Sequence, residues 1–343
     1  MIIVQDRMTV TAANLGPLRE LIAQHYRPEA EARGLEWIGD SVSPPLALSG
    51  NPLTLYIRWK LDHVGLFWQA RAMSATPSVT AFWDRVDEIT LSRERQYLTP
   101  GDNVLAQPEP VANVLVIPEF WRETAQLFLR NGEDASGRAR LHEVFAAARS
   151  EISGLIDVSF AENYTADFGG GHFTLDLMYG SESEAVNARA GSWWQSIVLP
   201  VLDETCEQVS ALGLRTIGAG TREPSLASPI KRTALFRSLP NVGEETLEKF
   251  AMDTLEMPAF IASIKNWRLS EAISLDWDTT PSPWTYVWEQ EFENLDGLNI
   301  DYMIHPHHWA LVDRWFDIES GDQIVDANLC HAFATMTESY INK

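Results

Sequence analysis

The chain has 343 residues, 45% of them hydrophobic, with 13 tryptophans and a formal net charge of −22. That length holds two or three domains, and that apolar fraction excludes a disordered chain. The acidic excess repels nucleic-acid duplexes and anionic membrane surfaces alike, so neither is expected as a partner.

Cys206 and Cys330 stand far apart with no CxxC companion. They form neither a disulfide framework nor a zinc site, and they suit a reducing cytoplasm. The opening MIIVQDRMTV reads as a strand rather than a leader, and no apolar run of about 18 residues predicts a membrane span.

Ile2 to Val10 carries the β-branched residues of a strand. Asn14 then caps a helix through about Glu31, with Leu15, Leu18, Leu21 and Ile22 at helical spacing. Leu35 to Ile38 and Leu53 to Trp59 read as strands on either side of a Ser/Pro/Gly-rich turn. A helical region from Asp62 to Val86 breaks near Pro77, and Ile89 to Tyr97 supplies a closing strand.

After the Pro-rich linker Gln107 to Pro110 the order begins again. Val114 to Ile117 reads as a strand and Arg138 to Ile152 as a helix. Leu155 to Phe160 and His172 to Met178 are strands around Gly169-Gly170-Gly171, and Glu182 to Leu212 is helical with Gly213 as its stop. Leu214 to Ala219 is a short strand. A linker from Glu223 to Pro229 precedes the third pass, with strands at Ile230 to Phe236, Trp267 to Ser274, Trp284 to Phe292 and Leu329 to Thr335. Its helices run from Glu244 to Ser263 and from Asn294 to Ile304.

Each pass reads βαββαβ, the ferredoxin-like order, with a period of ~110 residues. The expected fold is α+β with three ferredoxin-like repeats, at 1–106, 107–222 and 223–343. A four-stranded sheet covered by helices on one face leaves a second face that needs a partner sheet. Two such sheets close on each other, and the third predicts either a different cover or a homodimer.

Three segments of the third pass carry a specific likeness: Ile230-Lys231-Arg232-Thr233-Ala234-Leu235-Phe236, the strand Trp284 to Phe292, and Asp301-Tyr302-Met303-Ile304-His305-Pro306-His307-His308. The Tyr-x-x-His-Pro-x-His pattern is the most telling. Over about Ile230 to Phe333 the chain resembles the dimeric α/β barrel (Dabb, stress-responsive A/B barrel) family. Characterised members include a plant polyketide cyclase, fungal decarboxylases of polyketide acids and a fern hydroxynitrile lyase. They work without metal or organic cofactor, in an apolar pocket.

By that resemblance the working positions are His308, Tyr302, Arg232 and Tyr286, with Trp284 and Trp288 lining the pocket. The family's two strand histidines are replaced here by Arg232 and Tyr286. Arginine stays charged and meets a carboxylate with two hydrogen bonds, so the substitution favours an acidic substrate. The resemblance thus implies a cofactor-independent lyase, a decarboxylase of an aromatic (phenolic) carboxylic acid. His308 would move the proton, Tyr302 and Tyr286 would steady oxyanion charge, and Arg232 would hold the acid. A polyketide-type cyclase or other carbon–carbon lyase, and a non-catalytic stress-related binding or scaffold protein, are the alternatives.

Other signals have plainer readings. The proline break spoils a metal site from Asp301, His305 and His308; His305 reads as structural and His307 as facing solvent or an interface. Thr285, Val287 and Glu289 would face helices or solvent. His63 and His172 could line a second pocket, while Trp193-Trp194 and Trp315-Phe316 read as core. Gly218-Ala219-Gly220 lacks the third glycine and the helix of a dinucleotide loop.

Overall fold

The computed structural model describes residues 1–101, 120–132 and 134–343. The linker from Gln107 to Pro110 and the strand expected at Val114 to Ile117 lie outside the described residues. The chain divides into two units: Met1–Pro108 with Ile304–Ala327, and Glu109–Met303 with Asn328–Lys343.

In the first unit the elements are β1 (Ile2–Val10), α1 (Leu15–Leu21), a π-helical turn (Ile22–Tyr26), α2 (Arg27–Ala32), β2 (Glu36–Ser43), β3 (Leu53–Leu61), α3 (Val64–Ala72), α4 (Pro77–Ile89) and β4 (Ser92–Leu98). The sheet order is β2-β3-β1-β4, all antiparallel, which is the ferredoxin-like arrangement. Alternation along the strands sends Val4, Met8, Leu55, Ile57 and Trp59 into a core with Leu18, Tyr26, Phe82 and Trp83. The other face differs from expectation. It carries Gln5, Arg7, Arg58, Glu94 and Gln96, bonded to one another across the strands, so this sheet has no second apolar face to cover. His63 is the N-cap of α3, its Nδ1 accepting from the Leu66 N–H at 3.3 Å.

The 304–327 segment docks in this unit through buried carboxylates. Glu319 accepts from Arg33 at 2.8 and 3.1 Å, from Arg95 at 2.8 Å and from the Tyr26 hydroxyl at 2.6 Å. Arg71 donates to Asp313 at 2.9 Å and to the Phe316 carbonyl at 2.6 Å. Burial pushes Asp313 up to about 6; Arg71 opposes the shift and Asp317 reinforces it. A carboxyl whose folded pKa is raised binds more protons folded than unfolded, so its contribution falls as pH rises from about 4 to about 6. Urea unfolding should show Asp313→Asn gaining roughly 3 kcal/mol relative to wild type between pH 4 and pH 7. A difference that stays constant across that range would contradict the assignment.

The second unit contains β5 (Trp121–Leu129), α5 (Ala135–Glu151), β6 (Leu155–Glu162), β7 (Phe173–Tyr179), α6 (Glu182–Ala190), a π-helical turn (Trp194–Val198), α7 (Leu199–Thr205), β8 (Cys206–Thr221), β9 (Ile230–Phe236), α8 (Glu244–Phe260), β10 (Asn266–Ser274), β11 (Tyr286–Phe292), a π-helical turn (Gly297–Tyr302) and β12 (Cys330–Thr335). One eight-stranded sheet runs β12-β9-β11-β10-β8-β5-β7-β6. Each half again has the ferredoxin-like order, and the halves join where β8 pairs with β10. The free edges also meet. The Tyr164 N–H donates to the Phe333 carbonyl at 2.8 Å, Asn163 bridges to Ala334, and the Tyr164 and Thr335 hydroxyls lie 2.5 Å apart. The sheet therefore closes on itself as an α/β barrel.

Two boundaries differ from the sequence reading. The helices expected to reach Leu212 stop at Thr205, and Gly213 lies inside β8 rather than ending a helix. β8 pairs on both edges, so its long apolar run is buried without strand-like alternation. β5 was not expected at Trp121–Leu129 because its Arg122, Thr124 and Gln126 are polar yet fully buried.

These residues point inside the barrel, where Glu289 also lies. Arg122 makes a two-point contact with Glu289 at 2.7 and 2.9 Å, and Lys231 bridges Asp176 at 2.6 Å and Glu289 at 2.8 Å. The expectation that Val287 and Glu289 face helices or solvent is thus corrected. The segment after β12 also enters the barrel: Glu291 accepts the N–H groups of Tyr340 at 2.7 Å and Ile341 at 3.1 Å. An apolar layer of Leu212, Leu214, Leu235, Val287 and Cys330 lies beside the charged one.

Candidate functional site

On the outer face of the second unit's sheet the even-numbered residues of β9 and β11 meet α8. Phe250 of α8 contacts Phe236 at 6.3 Å and Tyr286 at 5.3 Å between ring centroids. Register sets Arg232 opposite Gln290 and Phe333, and sets Ala234 opposite Trp288 and His331. A small alanine therefore stands between an indole and an imidazole, next to a guanidinium on its own strand.

Arg232 is the centre of this cluster. It is 6% exposed and donates to Gln290 Oε1 at 2.6 Å. It also meets His331 Nδ1 at 2.7 Å, and its guanidinium lies 5.5 Å from the Tyr302 ring. Among the described residues no carboxylate comes within ion-pair distance of it. A guanidinium has only donors, so His331 Nδ1 must accept and the neutral ring carries its proton on Nε2. Gln290 Nε2 and Trp288 Nε1 are buried donors without a hydrogen-bond partner. A buried cation lacking a counter-ion, flanked by two idle N–H donors, is costly unless an anionic group completes it.

Tyr302 closes one side, its ring packed edge-on to Phe292 at 5.7 Å. Tyr286 is buried beside Phe250, and burial, with Glu271 nearby, raises its phenol pKa. It therefore stays a hydrogen-bond donor at neutral pH. Trp284 lies elsewhere. It precedes β11, packs with Leu235 and Val287 of the barrel's apolar layer, and carries Arg237 over its ring at 3.4 Å. That corrects the expectation that it shares the Tyr286 face.

His308 belongs to the first unit, whereas Arg232, Tyr286, Trp288 and Tyr302 belong to the second. It sits on the turn His307–Val312 with its ring 5.0 Å from that of Trp68. His307 is buried rather than solvent-facing, and His305 Nδ1 accepts the His307 N–H at 3.2 Å. In the second unit, His172 Nδ1 accepts the Leu129 N–H at 3.0 Å, and burial lowers its pKa. Trp194 packs edge-on against Trp277 at 5.1 Å in the core.

His331 and Gln290 escaped the sequence reading. Gln290 shares parity with Tyr286 and Trp288, which was a usable signal. His331 carried none, because it stands alone in the closing strand.

No curated protein matches the chain. Among solved structures, an anthrone oxidase-like protein aligns over 64% of this chain and 92% of its own at 10% identity and a TM-score of 0.50. A protein of Lactobacillus acidophilus NCFM named as a proposed monooxygenase aligns over 64% and 94% at 11% identity and a TM-score of 0.39. A NIPSNAP family protein from Agrobacterium tumefaciens str. C58 aligns over 30% and 96% at 20% identity and a TM-score of 0.25. At 10% identity the likeness to the first of these concerns the fold alone. The stress responsive A/B barrel model matches residues 230–329, the stretch that contributes β9 to β11, and over this C-terminal stretch the chain is similar to that family.

Proposed function

We propose that the protein is a cofactor-independent lyase that decarboxylates an aromatic, phenolic carboxylic acid on the outer face of β9 and β11. The observation supporting this most strongly is the buried Arg232, without a carboxylate partner and beside the idle donors Gln290 Nε2 and Trp288 Nε1. An acid seated over Ala234 would direct its carboxylate to Arg232 and its ring between Trp288 and Phe236.

In the reaction the bond between the ring and the carboxyl carbon breaks and CO2 leaves. The electron pair goes to the ring carbon, which takes one proton, and the phenolic oxygen carries the transient charge. We assign delivery of the proton to His331: its Nε2–H passes to the ring carbon as Nδ1 takes a proton from Arg232, which solvent then replaces. Tyr302 and Tyr286 would donate to the phenolic oxygen. His308, the acid/base implied by family resemblance, forms the second arm of the test. No helix among the described residues is long and apolar enough to cross a membrane. Operation in the cytoplasm and as a homodimer completes the reading, and light scattering should then give twice the chain mass of 38.6 kDa.

The test follows CO2 release from a panel of hydroxybenzoic acids. His331→Ala should lower turnover by about 100-fold or more, the usual share of a proton-transfer group. His308→Ala should leave turnover within a few-fold of wild type. The opposite pattern would return the role to His308. Binding of the acids without CO2 release from the wild type would reduce the protein to a carrier.

A further inference from the structure

The barrel interior holds a second, separate concentration of charge. Asp176, Glu289, Arg122, Lys231 and Arg268 are each no more than 2% exposed. Four of them satisfy one another through the bridges described above. Arg268 does not join in: it donates only to the Thr216 hydroxyl at 3.2 Å and the Ile341 carbonyl at 2.9 Å. Among the described residues it has no ion pair. Asp176 and Glu289 are thus taken up by Arg122 and Lys231, and neither is bonded to Arg268. A third interior carboxylate, Glu291, lies one step further along β11, engaged by Asn266, Ser339 and two backbone N–H groups.

Several polar atoms around Arg268 have no partner: its own Nε, Arg122 Nε, the Ser270 hydroxyl and the Tyr340 hydroxyl. Ser270 is two residues along β10 and shares the Arg268 face. Arg122 stacks over the Tyr340 ring at 5.1 Å. All four atoms can donate, and two can only donate. Burial, reinforced by Arg122 and only partly offset by Glu289 and Tyr340, lowers the Arg268 pKa to about 10.

We propose that the barrel interior is a binding site for a small inorganic anion of halide size, held by Arg268, Arg122, Ser270 and Tyr340. This site lies on the opposite face of the sheet from Arg232 and is independent of the acid-binding reading. The anion satisfies the idle donors of two buried guanidinium groups and two buried hydroxyls. Arg268 contacts the Ile341 carbonyl directly, so anion occupancy also fastens the segment after β12 inside the barrel.

The probe is bromide, titrated into the full chain at constant ionic strength with gluconate as the balancing anion. Above its dissociation constant bromide should raise the unfolding midpoint by about 3 °C per tenfold increase in concentration. Crystals grown in bromide should show an anomalous peak within contact distance of Arg268. Ser270→Ala keeps the fold and should shift the titration to higher bromide, while Arg268→Met should abolish the response. A midpoint independent of bromide in the wild type, or ordered water instead of an anomalous peak, would overturn the proposal. An unchanged response in Arg268→Met would overturn it too.

Discussion

Replacing Arg232 with Met should weaken binding of aromatic acids and cut kcat/KM by about 1,000-fold, while the unfolding midpoint stays level or rises. Removing one partner of a buried, hydrogen-bonded charge pair costs on the order of 4 kcal/mol of binding, which is that factor in affinity. The stability outcome has the opposite sign. With no carboxylate near Arg232 among the described residues, the free protein carries an uncompensated buried cation, and an apolar side chain of similar volume relieves that cost. A merely structural arginine gives the reverse pair of results, with a lowered midpoint and unchanged acid binding. Isothermal titration with a hydroxybenzoate alongside thermal unfolding separates the two.

Glu289→Gln should be among the most destabilising single changes in the second unit. Glu289 is fully buried and neutralises both Arg122 and Lys231 across the barrel. Breaking such a set by removing one member costs roughly 3–5 kcal/mol, a fall of about 10 °C in the unfolding midpoint. The pH dependence identifies the cause. Burial alone would raise the Glu289 pKa, but Arg122 and Lys231 together outweigh it and hold the carboxyl well below its usual range. A depressed folded pKa contributes stability above the unfolded value of ~4.3 and loses it as pH falls below. The deficit of the variant should therefore be full at pH 7 and shrink below about pH 4. A deficit that is the same at pH 7 and pH 3 would point to lost packing instead.

Sequence periodicity revealed most of the strands that alternate apolar and polar residues in the usual way. β1 and β9 match their expected limits, and Asn266–Ser274 and Cys330–Thr335 differ by one residue at the start. The failures share one physical origin, the polar interior of the closed barrel. Arg122, Thr124 and Gln126 gave β5 the look of a loop, and Glu289 looked solvent-facing because charge is normally outside. β8 failed for the converse reason, since burial on both faces erased its alternation. At the candidate site Arg232, Tyr286, Trp288 and Tyr302 were legible from the family likeness. His331 was not, because its place beside Arg232 depends on β12 pairing with β9 across nearly a hundred residues. Nor does any local pattern tell that the 304–327 segment, with His308, belongs to the first unit.

The most direct test of the central claim is the crystal structure of the full chain soaked with a slowly turned-over hydroxybenzoate. The account predicts the carboxylate within hydrogen-bond distance of Arg232, Gln290 Nε2 or Trp288 Nε1, with the ring over Ala234 and His331 Nε2 facing the carboxyl-bearing carbon. A carboxylate bound away from Arg232, or a face of β9 and β11 that stays empty at saturating acid, would contradict it.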